Sequence, residues 1–140
     1  MVIKIRPTKL SDYEIIFNLL KKNKMIGNYL TKPLFKDLLA FNKNLYFVAE
    51  DNGKIVGSVF ASQNGGYHGY LYKLAVDSKY RRKGVATKLL EVVINKLRNK
   101  YKTDWIFTHI EKKNLPSLKL IKSLGFKIRR THYLVDKVYK

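Results

Sequence analysis

Apolar positions fall into two rhythms along this chain, and the change from one to the other marks its elements. Val2–Arg6 alternates as a short strand that ends at Pro7. Tyr13, Ile16, Phe17 and Leu20 then follow helical spacing to about Lys22, behind Ser11-Asp12-Tyr13-Glu14, which has the Ser-x-x-Glu form of a capping box. A second helix is predicted from near Thr31, with Pro33 early and Leu34, Leu38 and Phe41 on one side. The rhythm then shortens to strands. Leu45–Glu50 and Lys54–Ser62 flank the hairpin signal Asp51-Asn52-Gly53, and Asn64-Gly65-Gly66 leads into a third strand, Tyr67–Val76. A helix over Val85–Lys100 carries the stripe Val85, Leu89, Val92, Val93 and Leu97. Trp105–Ile110 reads as a strand, Pro116–Leu124 as a short helix closed by Gly125, and Phe126–Arg130 and Tyr133–Val138 as final strands. This order predicts a mixed α/β (α+β) domain with helices covering a central sheet. No repeat, linker or low-complexity segment divides residues 1–140, so one domain is expected.

Charge changes the picture more than composition does. The chain holds 29 Lys+Arg against 10 Asp+Glu, a formal net charge of +19. Such a field attracts phosphates, nucleic acid or acidic protein surfaces, although lysines spread along the whole chain also describe a solvated surface. No apolar run approaches the roughly 18–20 residues that span a bilayer. Lys4 and Arg6 interrupt the early apolar stretch, which argues against a signal peptide. The expectation is a cytoplasmic protein with no membrane partner. With no cysteine there is no disulfide framework, thiolate metal site or cysteine nucleophile, and no metal site is expected.

Chemistry concentrates between the third strand of the meander and the helix at Val85. Here Leu74-Ala75-Val76-Asp77-Ser78-Lys79-Tyr80 leads into Arg81-Arg82-Lys83-Gly84-Val85-Ala86. A strand that stops before a helix N-terminus leaves backbone N–H groups unpaired, and with the helix dipole they form an anion site suited to phosphate. Gly84 allows close backbone approach, Ala86 keeps the next turn small, and Arg81, Arg82 and Lys83 add charge. A solvated basic turn would look the same from this loop alone. Neither Gly-x-x-x-x-Gly-Lys-Ser/Thr nor Gly-x-Gly-x-x-Gly occurs.

Arg81-Arg82-Lys83-Gly84-Val85-Ala86 resembles the Arg/Gln-x-x-Gly-x-Gly/Ala motif of the GNAT superfamily of acyl-CoA N-acyltransferases. Leu74-Ala75-Val76-Asp77 looks like that family's splayed fourth strand. The block from Asn114 to Phe126, with Pro116, Leu120 and the pair Gly125-Phe126, is similar to its Asn-x-x-Ala-x-x-Leu-Tyr-x-x-x-Gly-Phe segment. Ile5-Arg6-Pro7 before a helix is also similar to many members, so the resemblance covers essentially the whole chain. It implies a central mixed sheet of about 6–7 strands, splayed at strands 4 and 5 and flanked by about four helices.

The resemblance further implies an N-acetyltransferase that moves an acetyl group from acetyl-CoA to a primary amine of a small molecule or protein. Arg82, Lys83, Gly84, Val85, Ala86 and Thr87, next to Arg81, would present backbone N–H groups to the pyrophosphate of CoA. Leu74 and Val76, with Ala75 between them, would pair with the pantetheine arm, and Asn114 would contact that arm or cap the helix before Pro116. Two departures stand out. Ile121 occupies the place of the family's usual Tyr general acid, and Tyr70 the place where some members carry a Glu base. Replacements come from Tyr72, His68, His109, Glu111, Tyr133 and His132, with Tyr133 preferred as proton donor and His109 and Glu111 as bases. Without cysteine, direct attack in a ternary complex is expected. The alternatives are a GNAT-like domain that binds acyl-CoA without turnover, and a nucleic-acid or ribosome-associated module in which 18 aromatic residues (7 Phe, 10 Tyr, 1 Trp) join the basic surface. Either a monomer or a homodimer suits the chain.

Overall fold

A computed structural model describes residues 1–25 and 30–139. It divides into two units, Met1–His109 and Ile110–Lys140. The first unit is built on one five-stranded sheet in the order β1-β2-β3-β4-β5. β1 (Ile3–Pro7), β2 (Tyr46–Asp51), β3 (Lys54–Gln63) and β4 (His68–Val76) are antiparallel neighbours, and β5 (Trp105–Phe107) joins β4 in parallel. The β2–β3 turn runs through Asn52 and Gly53, both at positive φ, as a two-residue hairpin loop demands.

Helices cover both faces. α3 (Val85–Asn99) packs on one, where a Cβ on Gly57 would meet Leu89 Cδ1 at 3.1 Å and Val85 Cγ1 at 3.2 Å. Gly57 is therefore what lets helix and sheet approach. On the other face lie α1 (Tyr13–Lys22) and α2 (Lys32–Phe41). There Phe35 of α2 meets Phe60 of β3 at 6.1 Å between ring centroids, and Tyr13 of α1 meets Phe35 at 5.5 Å. The core between the layers includes Ile16, Leu20, Phe35, Val48, Val59, Phe60 and Leu89, all buried.

Several local expectations are corrected. α1 starts at Tyr13, so Ser11 lies within a preceding 3₁₀ turn and not at a capping position. The Asp12 carboxylate instead accepts from the Lys9 N–H at 2.8 Å and from the Nη1 and Nη2 nitrogens of Arg6. α2 begins after Thr31, near its expected start, and the Thr31 side chain caps it, but the buried residue is Phe35, while Phe41 is 88% exposed. β5 ends at Phe107, short of the predicted Ile110.

The second unit contains α4 (Leu115–Ser123). The Asn114 side chain accepts from Ser117 N–H at 3.3 Å, and Pro116 sits in the first turn. Gly125 at φ +89 ends the helix, with Gly125 N–H bonded to Lys122 O and Phe126 N–H to Ile121 O, the paired bonds of a Schellman cap. The four predicted helices are present, but the sheet has five strands among the described residues, not 6–7. Phe126–Arg130 and Tyr133–Val138, expected as strands, carry no strand structure and are largely exposed. Alternation assigns side chains to faces but supplies no ladder partner, and a strand exists only where one pairs with it. No helix among the described residues is long and apolar enough to cross a membrane.

Candidate active site

β4 positions the site because it keeps its β5 neighbour for only part of its length. The parallel register is His68↔Trp105, Gly69↔Ile106 and Tyr70↔Phe107, and the Thr108 hydroxyl then donates to Leu71 O at 2.8 Å. Beyond that, residues 72–76 have no strand partner on the β5 side among the described residues. This is the splay. Leu74 is half-buried there, while Ala75 and Val76 are buried and paired with Ser58 and Gly57 of β3.

The chain then enters a turn held from several sides. Asp77 N–H donates to Val56 O at 2.8 Å, and the Asp77 carboxylate accepts from Lys79 N–H at 2.9 Å. Tyr80 donates its hydroxyl to Asp51 Oδ2 at 2.7 Å. Arg81, Arg82, Lys83 and Gly84 follow, all exposed. Gly84 is the N-cap of α3 at φ 80, and no side chain caps that end. A Cβ on Gly84 would meet nothing within 4 Å, so the space in front of the helix is open. The N–H groups of Val85, Ala86 and Thr87, in the first turn of α3, have no intrahelical carbonyl to bond. Dipole, open space and three cations adjacent in sequence make this end a candidate anion cradle, and acidic side chains are missing from the first turn.

A row of ring side chains runs along the α1/α2 face of the same strands. His68, Tyr70 and Tyr72 alternate along β4, and Trp105, Phe107 and His109 along β5 and its continuation. Tyr70 and Tyr72 stack at 5.4 Å, Tyr70 lies 5.1 Å from Phe107, and His68 lies 5.3 Å from Phe107. The Tyr70 hydroxyl stands 3.5 Å from His109 Nδ1, the outer limit of a hydrogen bond. Burial raises the Tyr70 phenol above its ordinary value, so at neutral pH it is a neutral O–H group. The Tyr72 hydroxyl is committed elsewhere, 2.5 Å from the Tyr46 hydroxyl.

Leu74, Ala75, Val76, Arg81 to Thr87 and the Tyr70–His109 pair all lie in the first unit, on β4, just beyond β5 and at the start of α3. The remaining candidates fall in the second unit. Asn114 serves as the N-cap of α4. Glu111 is exposed and 3.8 Å from Lys113 Nζ. His132 is exposed, and Tyr133 is 92% exposed on a segment without helix or strand. Tyr70 as the partner of His109 was not singled out from sequence. The signal was present in the alternation of His68, Tyr70 and Tyr72 against Trp105, Phe107 and His109, once a parallel register aligns them.

Residues 13–126 match the sequence model of the acetyltransferase (GNAT) family. Among curated proteins, the chain is 27% identical to an N-alpha-acetyltransferase of Sulfurisphaera tokodaii, over 95% of this chain and 86% of that protein. It is 30% identical to the catalytic subunit of the N-terminal acetyltransferase A complex of Arabidopsis thaliana, over 72% of this chain and 55% of the relative. Among solved structures, an aminoglycoside acetyltransferase from an uncultured soil metagenomic sample superimposes with a TM-score of 0.83 at 21% identity, covering 97% of each chain. At that identity the likeness is one of fold.

Proposed function

The chain belongs to the GNAT acetyltransferase family, and from that premise we propose that it transfers an acetyl group from acetyl-CoA to the α-amino group of a peptide or protein. The observation that carries this reading is the α3 N-terminus, uncapped, led by left-handed Gly84 and reached straight from the part of β4 without a β5 partner. A pyrophosphate fits that cradle, since open space faces Gly84. We read residues 1–140 as one acetyltransferase domain, because the family match runs across both units.

Acetyl-CoA would supply an electrophilic thioester carbonyl and a good leaving group, a thiol of pKa near 8.5 or above. The chain's own residues would do the rest. Backbone N–H groups of Arg82 to Thr87 hold the pyrophosphate, and the free edge of β4 at Leu74 to Val76 holds the arm in extended form. A free N–H at that edge bonds the carbonyl oxygen as charge develops on it. Tyr70 and His109 relay the proton: the phenol oxygen accepts it from the attacking nitrogen while the phenol proton passes to His109 Nδ1. Ile121 has no proton to give the departing sulfur, and with such a leaving group water suffices. Glu111, His132 and Tyr133 have no part in this relay.

Two physical arguments support an α-amine as acceptor. About a tenth of α-amines are neutral at pH 7, against well under 0.1% of lysine amines, so a modest base serves the former far better. The net charge of +19 also repels polycationic acceptors such as aminoglycosides. The names of the two relatives point the same way.

The test is calorimetric titration of nucleic-acid-free protein with acetyl-CoA. It is followed by CoA release with a panel of short peptides bearing free N-termini, the same peptides blocked, and kanamycin. One-to-one binding and release only with free N-termini support the reading. Release with kanamycin and not with peptides would replace the acceptor, and no binding would end the acyltransferase reading.

A further inference from the structure

Between Tyr72 and Ala75, β4 carries one residue more than its partner: two steps of β3, from Ser58 to Phe60, span three of β4. Lys73 absorbs the difference at φ 52. That left-handed conformation crowds any residue with a Cβ, so glycine or asparagine would be the easier choice. A bulky cation held there invites a reason beyond the backbone.

Its side chain supplies one. Lys73 Nζ donates to Met25 O at 2.6 Å, where the chain has just left α1. Eight residues on, in the loop before α3, Arg81 Nη2 donates to Asn23 Oδ1 at 2.8 Å. Asn23 and Met25 are themselves fixed to α1. Asn23 Nδ2 donates to Leu19 O at 2.8 Å, Lys24 takes φ 57, and Met25 N–H reaches back to Leu20 O at 3.0 Å. Two cations from the β4–α3 segment thus grip the C-terminal end of α1, where the helix dipole favours positive charge. One anchor is next to Tyr72 at the splay, the other at the head of the anion cradle.

We propose that Lys73 is a positioning residue for the amine acceptor: its bond to Met25 fixes the end of α1 against the β4 bulge and so sets the acceptor-side wall beside Tyr70 and His109. This rests on the acyltransfer reading above.

Three variants test it with the best peptide acceptor from the panel: Lys73→Met, Lys73→Arg and Lys73→Gly. Lys73→Met should raise the peptide KM by about tenfold, the loss of one charged hydrogen bond. Its kcat should change far less, and its Kd for acetyl-CoA should stay within about twofold of wild type. Lys73→Arg should recover most of the lost affinity. Lys73→Gly relieves the positive φ, so its thermal midpoint should hold or rise while its peptide KM worsens as in Lys73→Met. A purely structural lysine would not give that split. An unchanged peptide KM in Lys73→Met, or equal weakening of acetyl-CoA and peptide, overturns the inference alone. A wild-type protein that neither binds acetyl-CoA nor releases CoA overturns the acyltransfer reading with it.

Discussion

The hydroxyls of Tyr46 and Tyr72 meet at 2.5 Å across β3, with Phe60 stacked flat on Tyr46 at 4.0 Å and edge-on to Tyr72 at 5.8 Å. One row of side chains thereby runs over three strands, and its two hydroxyls satisfy each other in a partly buried setting. The pair fixes the face on which the candidate relay residues stand.

Both phenols are raised above the ordinary value of 10.0, chiefly by burial, with the mutual hydrogen bond raising Tyr46 and lowering Tyr72. A raised phenol means the folded state keeps its proton where the unfolded chain has lost it. Its contribution is complete below about pH 10 and declines as pH rises beyond. Thermal melts should therefore be flat from neutral pH to about pH 10 and fall above it, and Tyr46→Phe/Tyr72→Phe should flatten that decline. Tyr72→Phe alone should cost about 1 kcal/mol and leave turnover nearly intact. A large loss of kcat would return Tyr72 to the chemistry.

For Tyr70 and His109 the expectation is the reverse. His109→Ala should lower kcat/KM by roughly 10²-fold or more, the usual scale of a general base, with the acetyl-CoA Kd unchanged. Tyr70→Phe keeps the stacking on Tyr72 and Phe107 but breaks the relay, so a loss of about tenfold or more in kcat should accompany an unchanged melting profile. If His109→Ala turns over like wild type, the proton leaves by another route.

The sequence made some of this legible and hid the rest for physical reasons. The hairpin at Asn52-Gly53, the start of α2 near Thr31 and the Gly125 stop are local chemistry, readable from neighbouring residues, and each is present. The open α3 N-terminus led by Gly84 was legible for the same reason, since Gly84 and three basic residues are contiguous with the first helical residues. Phe35 in place of Phe41 as the buried residue of α2 was not, because that choice depends on Phe60, on a distant strand. The two absent C-terminal strands fail similarly: the pattern of Tyr133, Val135 and Val138 is local, whereas a ladder partner is not. The bulge at Lys73 also depends on registration against β3, and Lys carries no local signal for positive φ.

Arg6 and Asp12 give an acid-side counterpart. Burial pushes the Asp12 carboxyl up, but its bonds from Arg6 and from Lys9 N–H outweigh this and hold it below the ordinary 3.8. A lowered carboxyl contributes stability above its unfolded pKa and loses it as pH falls through the folded one. Stability should thus decline below about pH 4, and Asp12→Asn should flatten that decline. At pH 7 Asp12→Asn should cost about 2 kcal/mol, because Arg6 would keep only Glu50, 3.2 Å away, as an ionic partner among the described residues. Denaturant melts at pH 7 and pH 3.5 check both statements.

Gly84 separates the cradle from the general basicity of the surface. Its φ of 80 strains any other residue, while the open space in front of it imposes no clash. Gly84→Ala should therefore cost about 1 kcal/mol of stability and only a few-fold in acetyl-CoA affinity. Gly84→Glu adds the same strain and also places a carboxylate where the proposed pyrophosphate site lies, so acetyl-CoA binding should disappear from calorimetry while the protein stays folded. Heparin binding, which draws on the whole +19 surface, should persist in Gly84→Glu and fall steeply with salt for both proteins. If Gly84→Glu binds acetyl-CoA as well as wild type does, the α3 N-terminus is not the cofactor site. A parallel loss of heparin binding would mean instead that the cradle is the main polyanion site of the chain.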